Sequence, residues 1–523
     1  MTIGLKLFRK MSSYGDRTAI RLGTQELSYS ILNRRSLQLA CMIESFKLSS
    51  SSIGIIGQRN ITAYIGIIGS VFSGHTYIPI NSKYTQSTIH KIIEDSGIEL
   101  LVGDYDSIDA LSEVIRSSKV KLIIIPDEEV PDKSIFGSQS IVYDKSNVDS
   151  YDVMNTPVTA PAEALLYILY TSGTTGDPKG VMVSNGNVEI FLKNTEDFYD
   201  LEAGYRASQT FDLSFDASVV DIYLTLMNGG QICILSEAEL LMPFDYINRE
   251  KIHLWYSVPT LANYMFKMGY LAPNSFPLLR YSFFGGEPLP KYLADAWKLA
   301  APNSTVENVY GPTEATVNIS RFNYLEQHAD REFKNGILSI GTTFDQHSVA
   351  ILGSDYSKVP NGTIGELAFA GPQVTMGYLN DPKKTDKSFQ YFSWDTLKQR
   401  WYLTGDLAVV NEFSEIECLG RKDNQIKLSG RRIELGEIEN ALLQFPILKD
   451  VVVVPKRDKN GKVLSLVAFT TSLLSDDEEN ELLEHALNYI EKLFLPKRVI
   501  HIPVFPIMSS GKTDRKKLTS LAQ

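Results

Sequence analysis

A loop rich in glycine and hydroxyl side chains follows the apolar run 164–169 and reads Tyr170-Thr171-Ser172-Gly173-Thr174-Thr175-Gly176-Asp177-Pro178-Lys179-Gly180. Glycines let successive backbone N–H groups turn toward one anion, hydroxyl groups add donors without charge, and Lys179 supplies a mobile cation. This combination is typical of a cradle for a triphosphate. A Walker loop leads from its lysine into a helix, whereas residues 181–183 are apolar and β-rich, so we predict a loop that joins two strands. A flexible surface hairpin is the weaker alternative, because the pattern is unbroken over eleven residues.

Length, charge and cysteine content limit the class of protein. At 523 residues the chain is too long for one hydrophobic core and predicts about three or four structural units. Its 51 lysine and arginine residues against 62 aspartate and glutamate residues give a net charge of −11, with no long basic run, which argues against a nucleic-acid partner. The most apolar early stretch, residues 61–72, is too short to cross a bilayer, so we expect no membrane association. Three distant cysteines favour a reducing compartment and exclude a disulfide framework and a cysteine zinc cluster, so we expect a cytoplasmic protein.

Secondary-structure patterns divide the chain into two parts. Short β-rich runs at residues 53–56, 100–102, 122–125, 232–235 and 281–284 alternate with helical patterns such as residues 87–95, which predicts α/β layers with largely parallel sheets. After residues 401–406 the pattern of charged and apolar residues changes. A charged segment leads into predicted strands at 451–454 and 464–470 and a predicted helix at 477–494. We therefore predict a separate small α+β domain of about a hundred residues.

Four further segments carry polar groups that suit a nucleotide. In Asn308-Val309-Tyr310-Gly311-Pro312-Thr313-Glu314, Tyr310 can stack on a purine, Thr313 can bond a phosphate and Glu314 can hold Mg²⁺. Asp406, in Thr404-Gly405-Asp406, can accept both hydroxyls of a ribose, and Arg421 can reach the same sugar or phosphate. Lys512 stands on a glycine-bearing loop near the end of the sequence, where a solvated basic tail is the alternative.

With these motifs in this order, the chain resembles the acyl-adenylate-forming superfamily. Within it, the sequence is most similar to the amino-acid-activating adenylation domains of nonribosomal peptide synthetases and to stand-alone D-alanine:carrier-protein ligases. The resemblance covers essentially the whole chain, from Leu27-Ser28-Tyr29 and Tyr77-Ile78-Pro79-Ile80 through residues 365–367 and 425–434 to Lys512. It implies a large N-terminal domain of layered sheets and helices, residues 1–422, and a small mobile α+β lid, residues 423–523, that pivots at Asp423. It also implies that Gly286 and Glu287 contribute to the ATP site.

The resemblance implies two half-reactions. A carboxylate first attacks the α-phosphorus of ATP, releasing pyrophosphate and leaving an acyl-AMP. Lys512 neutralises both reacting anions, while Mg²⁺ on Glu314 and the loop from Thr171 to Lys179 steady the leaving group. The thiol of a phosphopantetheinylated carrier protein then attacks, after the lid rotates and removes Lys512. The sequence ends soon after Lys512, so we expect a carrier in trans or one on a downstream domain that has been removed.

Residues 211–223 resemble the segment that lines the acid pocket of this superfamily. The Phe-Asp pair occurs twice, at 211–212 and 215–216, and the register of residues 217–219 assigns Asp216 as the partner of a substrate ammonium. A buried carboxylate is costly unless it is paired, so we predict an α-amino acid substrate. A helix N-cap is the alternative reading for Asp212 and, less favoured, for Asp216. By resemblance the other pocket positions are Phe215, Ala217, Val220, Tyr256, Phe283, Gly285, Val309, Val317 and Asn318.

The pocket positions narrow the amino acid. None of them except Asp216 is charged, which argues against basic and acidic side chains and favours a small or medium neutral one. D-alanine is the named alternative, but the D-alanine ligases carry a cysteine where Gly285 stands. An acyl-CoA synthetase and a non-catalytic nucleotide-binding module on the same fold are the remaining alternatives. The presence of Asp216 argues against the first, and the presence of Lys512 and Glu314 argues against the second.

Overall fold

The computed structural model describes residues 2–57, 59–171, 178–196, 199–422, 425–458, 461–506 and 513–522. The chain divides into two compact units. The large unit comprises Met1–Ser82, Ile93–Leu169 and Gly180–Gly420, and the small unit comprises Lys83–Ile92, Tyr170–Lys179 and Arg421–Gln523. The predicted fold class, a large α/β N-terminal part and a small α+β C-terminal part, is confirmed, whereas the proposed boundary between residues 422 and 423 stays a prediction.

One mixed sheet of the large unit brings most of the predicted pocket residues to one edge. Its strands, in spatial order, are Thr342–Thr343, Ser320–Tyr324, Thr305–Tyr310, Tyr281–Phe284, Leu254–Ser257, Arg206–Gln209, Gln231–Ile234, Thr18–Leu22 and Gln25–Ser28. The three strands that end at Tyr310, Phe284 and Ser257 run parallel, with Tyr256 opposite Phe283. Because the carboxyl ends of parallel strands meet at one edge, residues that follow these strands lie close together.

A second sheet carries the glycine-rich loop. Its strands, in spatial order, are Gly377–Tyr378, Lys179–Ser184, Leu165–Thr171, Thr76–Ile80, Ser52–Ile56, Leu100–Gly103, Leu122–Ile124 and Ile141–Tyr143. The loop therefore joins two strands of one sheet, as predicted. Residues 52–56 and 76–80 are buried throughout, as expected of parallel strands that are covered on both faces.

A third, antiparallel sheet completes the large unit. It contains Ser348–Leu352, Gly365–Ala370, Trp401–Val410 and Phe389–Gln390, and Ile416–Arg421 pairs with Trp401–Val410. The helices up to residue 388 are Ile3–Tyr14, Tyr29–Ser45, Ile61–Phe72, Gln86–Ser96, Tyr105–Asp109, Ser112–Arg116, Lys145–Asp149, Asn185–Glu196, Ala217–Val219, Thr225–Met227, Pro243–Arg249, Pro259–Lys267, Lys291–Ala300 and Pro382–Ser388. Among the described helices, none combines the length and apolar character that a membrane span requires.

The C-terminal segment of the small unit, residues 421–523, contains two sheets and three α-helices among its described residues. The sheets are Gln425–Leu428 with Arg431–Glu434, and Val452–Arg457 with Val463–Thr470 and Arg498–His501; the helices are Leu435–Leu442, Asp476–Ala486 and Arg515–Leu521. The single helix predicted over 477–494 is wrong, because the α-helix ends at Ala486 and a short 3₁₀ turn, Lys492–Phe494, follows. The break leaves Leu487 38% exposed, while Ile490 and Phe494 return to the core.

Candidate active site

The glycine-rich loop is framed by the strands that were expected, but its centre is not described. Residues 172–177, which include the predicted cradle positions Ser172, Gly173, Thr174, Thr175 and Gly176, lie outside the described residues. Thr171 ends one strand, and its buried hydroxyl has no hydrogen-bond partner among the described residues. Lys179 begins the next strand and is buried. The phosphate cradle therefore stays a prediction, and the strands that end at Thr171 and begin at Lys179 are consistent with it.

Two residues that we predict to bind the nucleotide come from distant segments and contact each other in the large unit. The Tyr310 hydroxyl donates a hydrogen bond to Oδ2 of Asp406. The backbone N–H of Asp406 donates to Oγ1 of Thr404 at 3.0 Å, so the backbone of Asp406 is held as well as its side chain. The structure thus brings together the ring predicted to stack on a purine and the carboxylate predicted to bind a ribose.

The side chains of two other predicted ATP-site residues are used within the fold. The Asn308 amide donates to the backbone carbonyl of Ser339 at 2.9 Å and to that of Leu338 at 3.3 Å. The Glu287 carboxylate accepts from the backbone N–H of Thr260 at 3.0 Å and from its hydroxyl. These contacts give both side chains hydrogen-bond partners within the fold. Any contact of theirs with ATP stays a prediction.

The turn that follows Tyr310 is tightly packed and strained. A Cβ atom on Gly311 would lie 2.1 Å from the carbonyl oxygen of Val317, so only glycine fits there. Pro312 and Thr313 lead into the 3₁₀ turn Thr313–Ala315. Thr316 and Val317 then adopt left-handed backbone angles, with φ of 58° and 66°. Such angles cost about 1–3 kcal/mol for each non-glycine residue and concentrate at functional sites.

Glu314 lies in this turn and is the predicted magnesium ligand. Its side chain is buried, and Oε1 accepts a hydrogen bond from the Tyr378 hydroxyl at 2.7 Å. In the described ranges no group of three or more His, Cys, Asp or Glu side chains could hold a metal ion. Mg²⁺ is commonly held by one or two carboxylates together with substrate phosphates and water. Glu314 supplies one such carboxylate, and its role as a magnesium ligand stays a prediction.

The two candidate aspartates for the substrate ammonium have different surroundings. Asp212 Oδ1 accepts from the backbone N–H of Ser214 at 2.9 Å and from its hydroxyl at 2.6 Å, and Oδ2 accepts from the Asn81 amide at 2.9 Å. Asp216 precedes the short helix Ala217–Val219 and, within the described structure, makes no capping hydrogen bond there. Asp212 is thus bonded to Ser214 and Asn81, whereas the assignment of Asp216 as the partner of the substrate ammonium stays a prediction.

The predicted pocket floor is crowded. The Tyr256 hydroxyl donates to Oδ1 of Asn318 at 3.2 Å, and burial raises the pKa of Tyr256, which keeps this donor protonated. The ring centroids of Tyr256 and Phe283 are 5.9 Å apart. A Cβ atom on Gly285 would lie 3.0 Å from Cγ2 of Val309 and 3.1 Å from the Tyr256 hydroxyl oxygen. These predicted positions therefore lie close to one another.

The remaining predicted pocket positions lie within residues 215–220, at and around the short helix Ala217–Val219. Phe215 is half-buried, Ala217 and Val220 are buried, and a π-helical turn, Val220–Leu224, continues the helix. π-helical turns are rare and frequently mark functional sites. Lys512 and Asp423 lie outside the described residues. Arg421 is the last residue of the strand Ile416–Arg421, whose other residues belong to the large unit.

Sequence reasoning missed three residues that support this site. Phe211 packs against Tyr256 with ring centroids 4.7 Å apart, Tyr378 bonds Glu314, and the Gln373 amide bonds the turn that contains Val317. The partners of Tyr378 and Gln373 lie 64 and 57 residues away along the chain. No local pattern could have revealed these two contacts, although the repeated Phe-Asp pair did mark the segment of Phe211.

Comparison with known families places the chain. The family described as AMP-binding enzyme matches residues 7–379, and the family described as AMP-binding enzyme C-terminal domain matches residues 437–512. The chain therefore belongs to the AMP-binding enzyme family. It is an adenylating ligase that uses ATP.

Individual relatives share this fold over nearly their whole length. The D-alanine--D-alanyl carrier protein ligase of Bacillus cereus (strain G9842) is 30% identical over 517 residues, which cover 97% of this chain and 96% of the relative. Zwittermicin A synthase ZmaJ of Bacillus cereus is 29% identical over 519 residues, covering 97% and 92%. Among solved structures, the Vibrio cholerae adenylation domain AlmE in complex with glycyl-adenosine-5'-phosphate is 26% identical, with a TM-score of 0.86 and coverage of 99% and 97%.

Proposed function

We propose that the protein activates a small neutral α-amino acid as its aminoacyl-AMP, releases pyrophosphate, and transfers the aminoacyl group to the phosphopantetheine thiol of a carrier protein. Family membership supports the adenylation chemistry, and the relatives named for D-alanine and for a glycyl adenylate support an amino acid. The observation that carries the choice of a small side chain is the hydrogen bond between Tyr256 and Asn318, which closes the floor of the predicted pocket.

The crowding around Gly285 limits the substrate further. Because Val309 and Tyr256 already approach this glycine closely, the chain has no room for a cysteine there without displacing a neighbour. This disfavours a D-alanine site built like that of the ligases that carry cysteine, and D-alanine stays the second candidate because of the relative of that name. Glycine and alanine are the side chains that this floor suits best.

In the first half-reaction, each proposed residue acts on one part of the reactants. Asp216 pairs with the substrate ammonium, Tyr310 and Asp406 hold the nucleoside, and Lys512 neutralises the carboxylate and the α-phosphate as they approach. Thr171, Lys179 and the glycine-rich loop between them bind the departing pyrophosphate. Mg²⁺ held by Glu314 and the phosphates would lower the negative charge of the leaving group.

The second half-reaction requires the lid. We place the hinge at Asp423, so that residues 423–523 rotate as a lid against residues 1–422 and withdraw Lys512 before the thiol attacks. Hinges are commonly residues at the ends of structural elements. Asp423 comes two residues after the strand Ile416–Arg421 ends. We propose that the carrier acts in trans. Because ATP is a substrate and the three cysteines are few and far apart in the sequence, we also propose that the reaction takes place in the cytoplasm.

Amino-acid-dependent exchange of labelled pyrophosphate into ATP tests the first half-reaction. We expect one small neutral amino acid, glycine or alanine in either configuration, to give the strongest exchange across a panel of all proteinogenic L-amino acids plus D-alanine. Lys512→Ala should lose this exchange, whereas Lys517→Ala, which removes an exposed lysine of the last helix, should keep it. Equal effects of the two substitutions would mean that Lys512 is part of a solvated tail. Exchange with acetate or fatty acids alone would contradict the assignment of Asp216.

A further inference from the structure

We infer that Gln373 is a positioning residue for the amino-acid pocket, because its side-chain amide holds the turn that carries Val317 and Asn318. Gln373 is completely buried, and its Nε2 donates to the backbone carbonyl oxygens of Asn318 at 2.8 Å, Thr316 at 3.2 Å and Ala315 at 3.4 Å. One side chain thus bonds three carbonyls of a single turn. The inference rests on the proposed function, which places Val317 and Asn318 in the pocket.

The orientation of the Gln373 amide is fixed from the other side. The Asn194 amide donates to Oε1 of Gln373 at 3.0 Å, so the oxygen faces Asn194 and the nitrogen faces the turn. The Gln373 backbone is held as well, since its carbonyl accepts from the Thr316 hydroxyl at 2.7 Å and its N–H donates to Nε2 of His347 at 3.3 Å. A rotated amide would lose its bonds on both sides at once.

The turn needs such a clamp because its backbone is unfavourable by itself. Thr316 and Val317 are both β-branched and both adopt positive φ, a conformation that persists only when the surroundings impose it. Asn318 follows directly, and its Oδ1 accepts the Tyr256 hydroxyl at the pocket floor. A relaxed turn would therefore displace Val317, Asn318 and the partner of Tyr256 together.

The Gln373 amide acts on one half of the turn only. The other half, at Glu314, is held by separate bonds from the backbone N–H of Thr375 to the Glu314 carbonyl at 2.9 Å and from the Tyr378 hydroxyl to its carboxylate. Loss of the Gln373 amide should therefore weaken amino-acid binding more than ATP binding. Loss of a residue that is needed only for folding would weaken amino-acid binding and ATP binding equally.

Gln373→Met tests the inference, with Gln38→Met as its matched control. Gln38 is also buried, and its amide donates to the backbone carbonyls of Asp149 at 3.3 Å and Tyr151 at 2.9 Å, outside the pocket. Both substitutions keep the side-chain volume and remove the amide. In pyrophosphate exchange with wild-type protein as reference, we expect Gln373→Met to raise the KM for the amino acid about tenfold and that for ATP less than about threefold, and Gln38→Met to leave both within about twofold.

A second variant keeps the test decisive if Gln373→Met does not fold. Asn194→Ala leaves Gln373 in place but frees its amide to rotate, so we expect the amino-acid KM to rise about threefold with an unchanged ATP KM. An unchanged amino-acid KM in folded Asn194→Ala or Gln373→Met protein, or equal rises of both KM values, overturns the inference alone. Wild-type protein without any amino-acid-dependent exchange would instead overturn the proposed function, and the inference with it.

Discussion

The Tyr310 hydroxyl and the Asp406 carboxylate are hydrogen-bonded although 96 positions separate them along the chain. Tyr310 ends a strand of the large mixed sheet, and Asp406 lies in a strand of the antiparallel sheet, so the bond joins two sheets of the large unit. The carboxylate that we predict to bind the ribose is thus already oriented by Tyr310, which would lower the cost of ordering it when a nucleotide binds.

Removing the Tyr310 hydroxyl should therefore weaken ATP binding specifically. We expect Tyr310→Phe to raise the KM for ATP about tenfold, because a hydrogen bond to a charged group is lost while the ring is kept, and to leave the amino-acid KM unchanged. Tyr324→Phe is the matched control, since the Tyr324 hydroxyl donates to Oδ1 of Asp295 in the same way. ATP-dependent pyrophosphate exchange measures both variants, and equal ATP KM values for wild type and Tyr310→Phe would contradict the prediction.

The assignment of the ammonium partner can be tested on the repeated Phe-Asp pair. Asp216→Asn should lower kcat/KM for the amino acid about a hundredfold or more, because a paired charge is removed from the pocket. Asp212→Asn should keep kcat/KM within about threefold but lower the melting temperature, since Asp212 bonds Ser214 and Asn81. If Asp212→Asn lowered kcat/KM and Asp216→Asn did not, Asp212 would be the partner of the substrate ammonium.

Gly285 and Tyr256 should be energetically coupled. Gly285→Ala introduces a Cβ atom at 3.1 Å from the Tyr256 hydroxyl oxygen and 3.0 Å from Val309 Cγ2, so we expect kcat/KM for the best amino acid to fall about tenfold. In a Tyr256→Phe background one of these clashes is absent, and the same substitution should cost less. A double-mutant cycle in kcat/KM measures the coupling. Additive effects would show that the crowding is relieved elsewhere.

Fold elements with a strong local pattern were predictable from the sequence. The strand Tyr281–Phe284 was predicted with its observed bounds, and the helix Gln86–Ser96 was predicted within one residue at each end. The helix predicted over 477–494 was wrong beyond Ala486, because Ile490 and Phe494 reach the core from a turn and a 3₁₀ segment at spacings that also fit a helix. Apolar spacing alone does not distinguish these two conformations.

The sequence predicts site residues where a short motif carries the chemistry. Tyr310, Glu314 and Asp406 are assigned from their own segments, since each residue type suits one part of a nucleotide or its metal, and these roles stay predictions. The contacts that orient Glu314 and the turn after it were not predictable, because they join segments far apart in the chain, as between Tyr378 and Glu314 or between Gln373 and Asn194. Such contacts depend on the packing of whole sheets and helices and leave no local signature.

Asp221 is a buried carboxyl group that should make stability depend on pH. It lies in the π-helical turn, and neither carboxyl oxygen has a hydrogen-bond partner among the described residues. Burial raises the pKa of Asp221 well above its usual 3.8, and the charge of Arg59 offsets this only in part. Above pH 4 the native state therefore holds a proton that the unfolded state has released, so this group makes stability fall as pH rises.

Asp221→Asn removes this titration, so its advantage over wild type should grow with pH. We expect the variant to melt about 2 °C or more above wild type at pH 8, with a smaller difference at pH 5, because protonated aspartic acid and asparagine are both neutral and of similar size. Asp109→Asn, at an exposed position, should show the same small difference at both pH values. Thermal melts followed by circular dichroism between pH 5 and pH 8 measure both variants. A variant that melts below wild type at pH 8 would mean that the ionised carboxylate of Asp221 makes a contact on which the fold depends.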